Sequence, residues 1–160
     1  MAALALEPVT DNDRDWVANT VSRHFASTRV VSRGRMIHTE DLPGIVAWRD
    51  RERAGVLLFE RVAGAIEVVV LIAEVPGLGV GAALLAEMAR QAREAQAGRL
   101  WLVTTSNNVE AIAFYESQGW HCDVIHEGAV DEARKLKPEI PHADAKGRPI
   151  RDEWEFVKPL

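Results

Sequence analysis

A single cysteine, Cys122, stands in 160 residues, so no internal disulfide can form and a reducing cytoplasm is the expected compartment. Long apolar runs are missing as well. The early stretch AALAL is too short for the core of a secretory signal and far too short to cross a bilayer, so no membrane partner is expected. Positive charge is not in excess: 19 Lys and Arg face 24 Asp and Glu, and a net charge of -5 argues against nucleic acid, whose phosphates need a basic surface. The five histidines are too scattered for metal-ligand spacing and no cysteine pair accompanies them, so no metal is expected. There is no repeat and no low-complexity segment. What remains is a chain with 48% hydrophobic residues, long enough for one domain, 1–160, around one core.

The order of elements emerges from hydrophobic periodicity and turn chemistry. Ala5 to Val9 predicts a first strand, and Thr10 or Asp11 can cap a helix that buries Trp16, Val17, Val21 and Phe25. From Ala26 to Pro43 the pattern breaks down. Gly44 to Trp48 and Gly55 to Glu60 predict a hairpin closed by the solvated charge run Arg49 to Arg53. Ile66 to Ala73 is a nearly unbroken apolar strand, as expected when both faces are covered. A helix from Gly79 to Ala97 follows, with Leu84, Leu85, Met88 and Ala92 on one stripe. Next come a strand, Leu100 to Thr104, a helix, Val109 to Gln118, stopped by Gly119, and a strand, Trp120 to His126, in which Cys122 reads as a buried small hydrophobe. After a short helix, Ala129 to Leu136, and an irregular excursion to residue 150, Arg151 to Lys158 predicts a last strand paired with Trp120 to His126. Hairpins and helical crossovers together give an α/β class with a mixed sheet.

The segment Pro76-Gly77-Leu78-Gly79-Val80-Gly81 joins a buried strand to a helix. Glycines there let a ligand approach the backbone, and free amides at the helix start favour a diphosphate. A nucleoside triphosphate loop would need Gly-Lys-Ser/Thr, which is absent. A dinucleotide loop would need G-x-G-x-x-G and an acid at the end of the next strand, but that strand closes with Thr104-Thr105-Ser106. A methyltransferase loop lacks the same later acid. Three predicted strands also precede the one that leads into this loop, whereas those folds place the loop after their first strand. A coenzyme A thioester is the ligand left standing. Asn108 and Tyr115, seven apart, share one face of the following helix, where a phenol can protonate a departing thiolate. Asn108 by itself also suits a helix N-cap, and Tyr115 a core position with a wet hydroxyl.

Residues 66–120 resemble the GNAT superfamily of acetyl-CoA-dependent N-acetyltransferases. The acetyl-CoA motif of that family, Arg/Gln-x-x-Gly-x-Gly/Ala, falls on Pro76 to Gly81. Its second motif, Asn-x-x-Ala-x-x-hydrophobic-Tyr followed by Gly-aromatic, falls on Asn108, Ala111, Phe114, Tyr115, Gly119 and Trp120. The leading Arg/Gln is replaced by Pro76, which has no N–H to donate. The resemblance implies a mixed, mostly antiparallel sheet flanked by helices, with a V-shaped splay between two central parallel strands. It implies acetyl-CoA as co-substrate, held by Leu71, Ile72 and Ala73 along pantetheine, by Gly77, Leu78, Gly79, Val80, Gly81 and Ala82 around the diphosphate, and by Asn108 and Tyr115.

Tyr115 is then the expected acid for the thiolate and Glu67, an acid within an apolar strand, the expected base. Glu40, Asp41 and His38 are alternatives for the base. The implied reaction is direct attack by a primary amine in a ternary complex, with a small molecule as the favoured acceptor. Segments 26–43 and 127–150 are expected to wall the acceptor cavity. A homodimer is kept as a candidate assembly. The competing class is a non-catalytic coenzyme A-binding or regulatory domain of the same fold, and Pro76 is the residue that speaks for it.

Overall fold

The computed structural model describes residues 3–160; Ala2, the first residue of the early apolar stretch, lies outside them. Nine strands and four helices follow one another. β1 (Leu4–Pro8) leads through a short 3-10 turn into α1 (Arg14–Phe25), then β2 (Arg29–Ser32), β3 (Arg35–His38), β4 (Gly44–Arg49), β5 (Glu52–Val62) and β6 (Ala65–Ala73). After these come α2 (Val80–Glu94), β7 (Arg99–Thr105), α3 (Val109–Ser117), β8 (His121–His126), α4 (Ala129–Leu136) and β9 (Glu153–Lys158). Seven strands form one sheet in the order β1-β4-β5-β6-β7-β9-β8, and β2 with β3 forms a separate hairpin. Only β6 and β7 run parallel, joined by α2 as a crossover; every other neighbouring pair is antiparallel.

Two apolar layers cover the sheet. On one face Leu84, Leu85, Met88 and Ala92 of α2 pack with Ile66, Val68, Leu100, Leu102 and Phe156. These α2 residues are the stripe that periodicity predicts. On the other face Val17 and Val21 of α1 pack against Val46, Val56, Leu58, Val70 and Ile72. β6 serves both layers because it carries a bulge: Leu58 faces Val70 and Phe59 faces Val68, leaving Val69 without an opposite residue. One extra residue reverses which side chains point to which face.

Two departures from the sequence expectation have physical causes. Residues 26–43, expected to be irregular, contain the hairpin β2–β3, turned at Arg33 and Gly34, both at positive φ. Charged side chains join the buried Ile37 and the packed Val30 in fastening this hairpin. Arg35 reaches Glu60 at 3.0 Å and Glu67 at 2.8 Å, while Arg33 reaches Glu153 at 2.8 Å. Ser32 Oγ donates to Glu67 at 2.5 Å. Cys122, expected to be buried, is exposed, because β8 is an edge strand with no layer over it. The predicted pairing of the last strand with Trp120 to His126 is present as β8–β9.

Ser32 and Glu67 are both buried, so removing the hydroxyl leaves a buried carboxylate oxygen short of a donor. Ser32→Ala is therefore expected to cost about 1–3 kcal/mol, read as a lower denaturant midpoint at unchanged slope. A loss below ~0.5 kcal/mol would mean that water replaces the hydroxyl there.

Candidate active site

The parallel ladder between β6 and β7 is short. It runs from Ala65↔Arg99 to Val68↔Leu102 and stops. Beyond it β6 turns with β5 as far as Ala73, while β7 stays with β9 up to Thr105↔Glu153. The two central strands thus diverge where the bulge at Val69 bends β6 away. A cavity of about 680 Å³ opens in the wedge, lined by Val68, Val69, Leu71 and Ile72 from one arm and Leu102 to Thr105 from the other. α3 closes one end with Asn108, Ala111 and Tyr115; α1, β2 and the segment around Lys137 close the other.

The glycine loop lies at the C-terminal end of the diverging β6. Gly79 takes φ 71° as the residue before α2, a left-handed conformation that costs a side chain about 1–2 kcal/mol. Among the described residues no acceptor takes the N–H of Gly77, Leu78, Gly79, Val80, Gly81 or Ala82. The first helical amides are orphaned in any helix; here the row extends back into the loop. A Cβ on Gly81 would sit 3.1 Å from the Phe114 ring, so this glycine lets α2 begin tight against α3. Pro76 adds no donor to the row, and no basic side chain stands in the loop itself.

Tyr115 occupies the seam between the layers. Its ring centre lies 5.7 Å from Phe114, 6.3 Å from Trp120 and 5.8 Å from Phe156. Its hydroxyl makes no hydrogen bond among the described residues and is not sealed from the cavity that Tyr115 lines. Burial pushes the phenol up to about 12, because the anion would lose its hydration. The group is therefore a neutral hydrogen donor at any physiological pH. Asn108 occupies the N-cap position of α3, yet its side chain caps nothing. Nδ2 turns back to Thr104 Oγ1 at 3.1 Å and Thr105 Oγ1 at 3.3 Å, which keeps Asn108 on the cavity wall.

Glu67 meets a different placement from the one expected of a base. It pairs with Trp101 inside the closed part of the parallel ladder, below the divergence. One oxygen accepts from Ser32 and the other from Arg35. It borders a separate small pocket of about 190 Å³ with Arg35, Glu60 and Trp101, away from the cavity that Tyr115 lines. Burial raises its pKa, while Ser32 and Arg35 pull the other way. Of the other expected ligand residues, Leu71 and Ile72 line the cavity, whereas Ala73 is exposed at the end of β6 and does not. Glu40, Asp41 and His38 lie outside it as well.

Two buried charged residues of the cavity escaped the sequence reading. Glu153, 3% exposed, starts β9, and Lys137, 5% exposed, follows α4. Lys137 Nζ donates to the carbonyls of Phe25 at 2.8 Å and Arg29 at 2.6 Å, tying the end of α1 to the start of β2. Its surroundings depress its pKa, chiefly through burial. A sequence signal existed for Glu153: in the strand EWEFVK an acid alternates with apolar residues that need a covered face.

The model of the Acetyltransferase (GNAT) family matches residues 12–120. The uncharacterized protein YxbD of Bacillus subtilis (strain 168) is 31% identical over 154 residues, covering 96% of this chain and 97% of YxbD. Among solved structures, an IAA acetyltransferase from Bacillus cereus ATCC 14579 superposes with a TM-score of 0.72 at 17% identity, covering 99% of this chain and 100% of that one. A GNAT family acetyltransferase from Elizabethkingia anophelis with acetyl-CoA bound gives 0.68 at 14% identity, with 98% of each chain covered. The chain belongs to the GNAT family of acetyltransferases.

Tyr115 is the only tyrosine in the sequence, so tyrosinate absorbance reports it alone. Its titration in the folded protein is expected as one step near 12, against ~10 in denaturant. Because the folded value is the higher one, the associated stability is complete below pH ~10 and is lost as the pH rises from there through about 12. A folded-state midpoint near 10 would place the hydroxyl in bulk water.

Proposed function

We propose that this protein transfers the acetyl group of acetyl-CoA to a primary amine, carried by a small molecule, through direct attack in a ternary complex. The observation that carries the reading is the row of unpartnered amides from Gly77 to Ala82, which follows the C-terminal end of the diverging β6, together with a wedge lined by Tyr115. A diphosphate suits the amides at the start of α2. The free backbone edge of β6 at Leu71 and Ile72 suits an extended pantetheine arm, which would pair as a strand does. An amide on that edge is placed to stabilise the oxyanion formed when the thioester carbonyl is attacked.

The chemistry asked of Tyr115 is modest. As the C–S bond breaks, the electron pair goes to sulfur, and the phenol donates its hydrogen bond and then its proton. A phenol at about 12 looks mismatched to a thiol of ~8.5. However, a thiolate leaving into the same buried wedge loses hydration too, so both pKa values move upward together. The neutral form at rest guarantees that the donor is loaded before each turnover. Walls that include Phe25, Val30, Val31, Ile140 and Pro141 make the acceptor end mostly apolar, which suits a small molecule with an apolar body.

Thermal unfolding with acetyl-CoA at 100 times its Kd should gain about 2.7 kcal/mol, or several degrees. S-adenosylmethionine and NAD at matched concentration should give none. Gly79→Ala is expected to weaken acetyl-CoA binding through the strained helix entry, and Pro76→Arg to strengthen it by adding a cation beside the diphosphate. Tyr115→Phe should lower turnover by ~10²-fold or more while binding survives. Acetyl-CoA binding without turnover on any amine would favour a regulatory coenzyme A-binding domain instead.

A further inference from the structure

Building on that proposed reaction, we infer that Glu153 is the carboxylate that meets the acceptor amine and takes its proton, and that the acceptor carries this amine on a compact apolar body. Glu153 pairs with Thr105 at the last rung of β7–β9, four residues further along β7 than Trp101, the partner of Glu67. At about 3.3 Å per residue that is roughly 13 Å up the sheet, beyond the point where β6 and β7 part. Glu153 therefore lines the wedge, and Glu67 does not.

The two carboxylates also differ in what already binds them. Both oxygens of Glu67 are occupied, by Ser32 and Arg35. Glu153 receives Arg33 on Oε1 at 2.8 Å, while Oε2 accepts nothing among the described residues and is not sealed from solvent. A carboxylate with one anchored and one free oxygen is held in place yet can still accept a proton. The side chain alternates with Trp154, which packs in the α2–α3 layer, so Glu153 faces the wedge from the side opposite Tyr115. Acid and base thus approach the thioester from opposite faces of the sheet.

Around Glu153 the acceptor end is built from Phe25, Val30, Val31, Ile140, Pro141 and Ile150. Other charges there are already engaged. Lys137 is bound to two carbonyls, Glu139 pairs with Arg29, and Arg23 pairs with Glu74. His24 Nε2 lies 3.9 Å from Glu74. A second cation or a carboxylate on the acceptor would find no free partner among these groups, so an amine on an apolar body fits and a polyamine or amino acid does not. In the reaction the amine lone pair forms the C–N bond, one N–H proton passes to Glu153 Oε2, and the C–S pair leaves with sulfur, which takes a proton from Tyr115. Glu153 then returns its proton to water.

The test measures thiol release from acetyl-CoA with hexylamine, phenethylamine, glycine and spermidine, beside acetyl-CoA binding by calorimetry. Wild type is expected to acetylate the first two amines at least tenfold faster than the last two. Glu153→Gln should lose ~10²-fold or more in kcat/KM with acetyl-CoA affinity unchanged, whereas Glu67→Gln should stay within tenfold of wild type. Arg33→Gln separates proton transfer from mere anchoring of the hairpin: it removes the ion pair and keeps the carboxylate, so activity should stay within tenfold of wild type. Were Arg33→Gln to match the loss in Glu153→Gln, or Glu153→Gln to stay within tenfold of wild type, the assignment would be wrong. Acetyl-CoA binding with no turnover of either apolar amine overturns the acceptor class and Glu153 with it. Failure to bind acetyl-CoA overturns the proposed function itself.

Discussion

Everything in this molecule that bears on chemistry follows from two parallel strands that cannot stay together. β6 and β7 share a ladder only from Ala65↔Arg99 to Val68↔Leu102. The bulge at Val69 then bends β6 with its other neighbour, β5. A strand edge left without a partner in the middle of a sheet is a costly arrangement, because buried backbone groups need acceptors and donors. Proteins normally cover, shorten or charge such edges. Here the edge is kept apolar and open between Val69 and Ile72, on the floor of a cavity whose shape suits an extended ligand.

The ends of the wedge are made by unlike physics. Toward α2 the structure relies on backbone alone. Gly79 accepts a left-handed turn, Gly81 lets Phe114 close in, and the amides from Gly77 onward face outward. Such a surface suits anionic oxygen without any basic side chain, and under the proposed function it makes up for Pro76 at the head of the loop. Toward α1 the structure relies on side chains: Arg33, Arg35 and Lys137 tie the hairpin and the following segments to carboxylates and carbonyls of the sheet and of α1.

That contrast also explains what could be read from the sequence. Backbone-driven features leave strong traces, since glycine spacing, an unbroken Val/Ile strand and a helical stripe each answer to a short-range rule. Hence α2, β6, β7 and α3 were legible to within a few residues, and so was the pairing of β8 with β9. The hairpin β2–β3 was not, because its strands are four residues each and mix Arg, Ser and His with the apolar positions. Cys122 misled for a different reason: alternation reveals that a strand has two faces, not whether any layer covers them. Glu67 was singled out as an acid in an apolar run, and it is indeed buried. Its partners, Ser32 and Arg35, come from the hairpin that periodicity could not see.

The attachment of that hairpin sets the distribution of stability. Arg33 and Arg35 are each more than a third exposed, 34% and 43%, so their ion pairs contribute little individually, in the range ~0–1 kcal/mol typical of solvent-exposed pairs. The opposite layer is held by fully buried Leu84, Met88, Leu100 and Phe156, each contributing about 1.5–3 kcal/mol of apolar burial. A cavity with one firmly packed wall and one lightly held wall has its recognition divided accordingly. The donor side, fixed by backbone in the packed layer, suits a ligand common to the whole family. Under the proposed function, the acceptor side can change its shape and chemistry through substitutions at lining positions such as Val31 or Ile140, which lie outside the buried core.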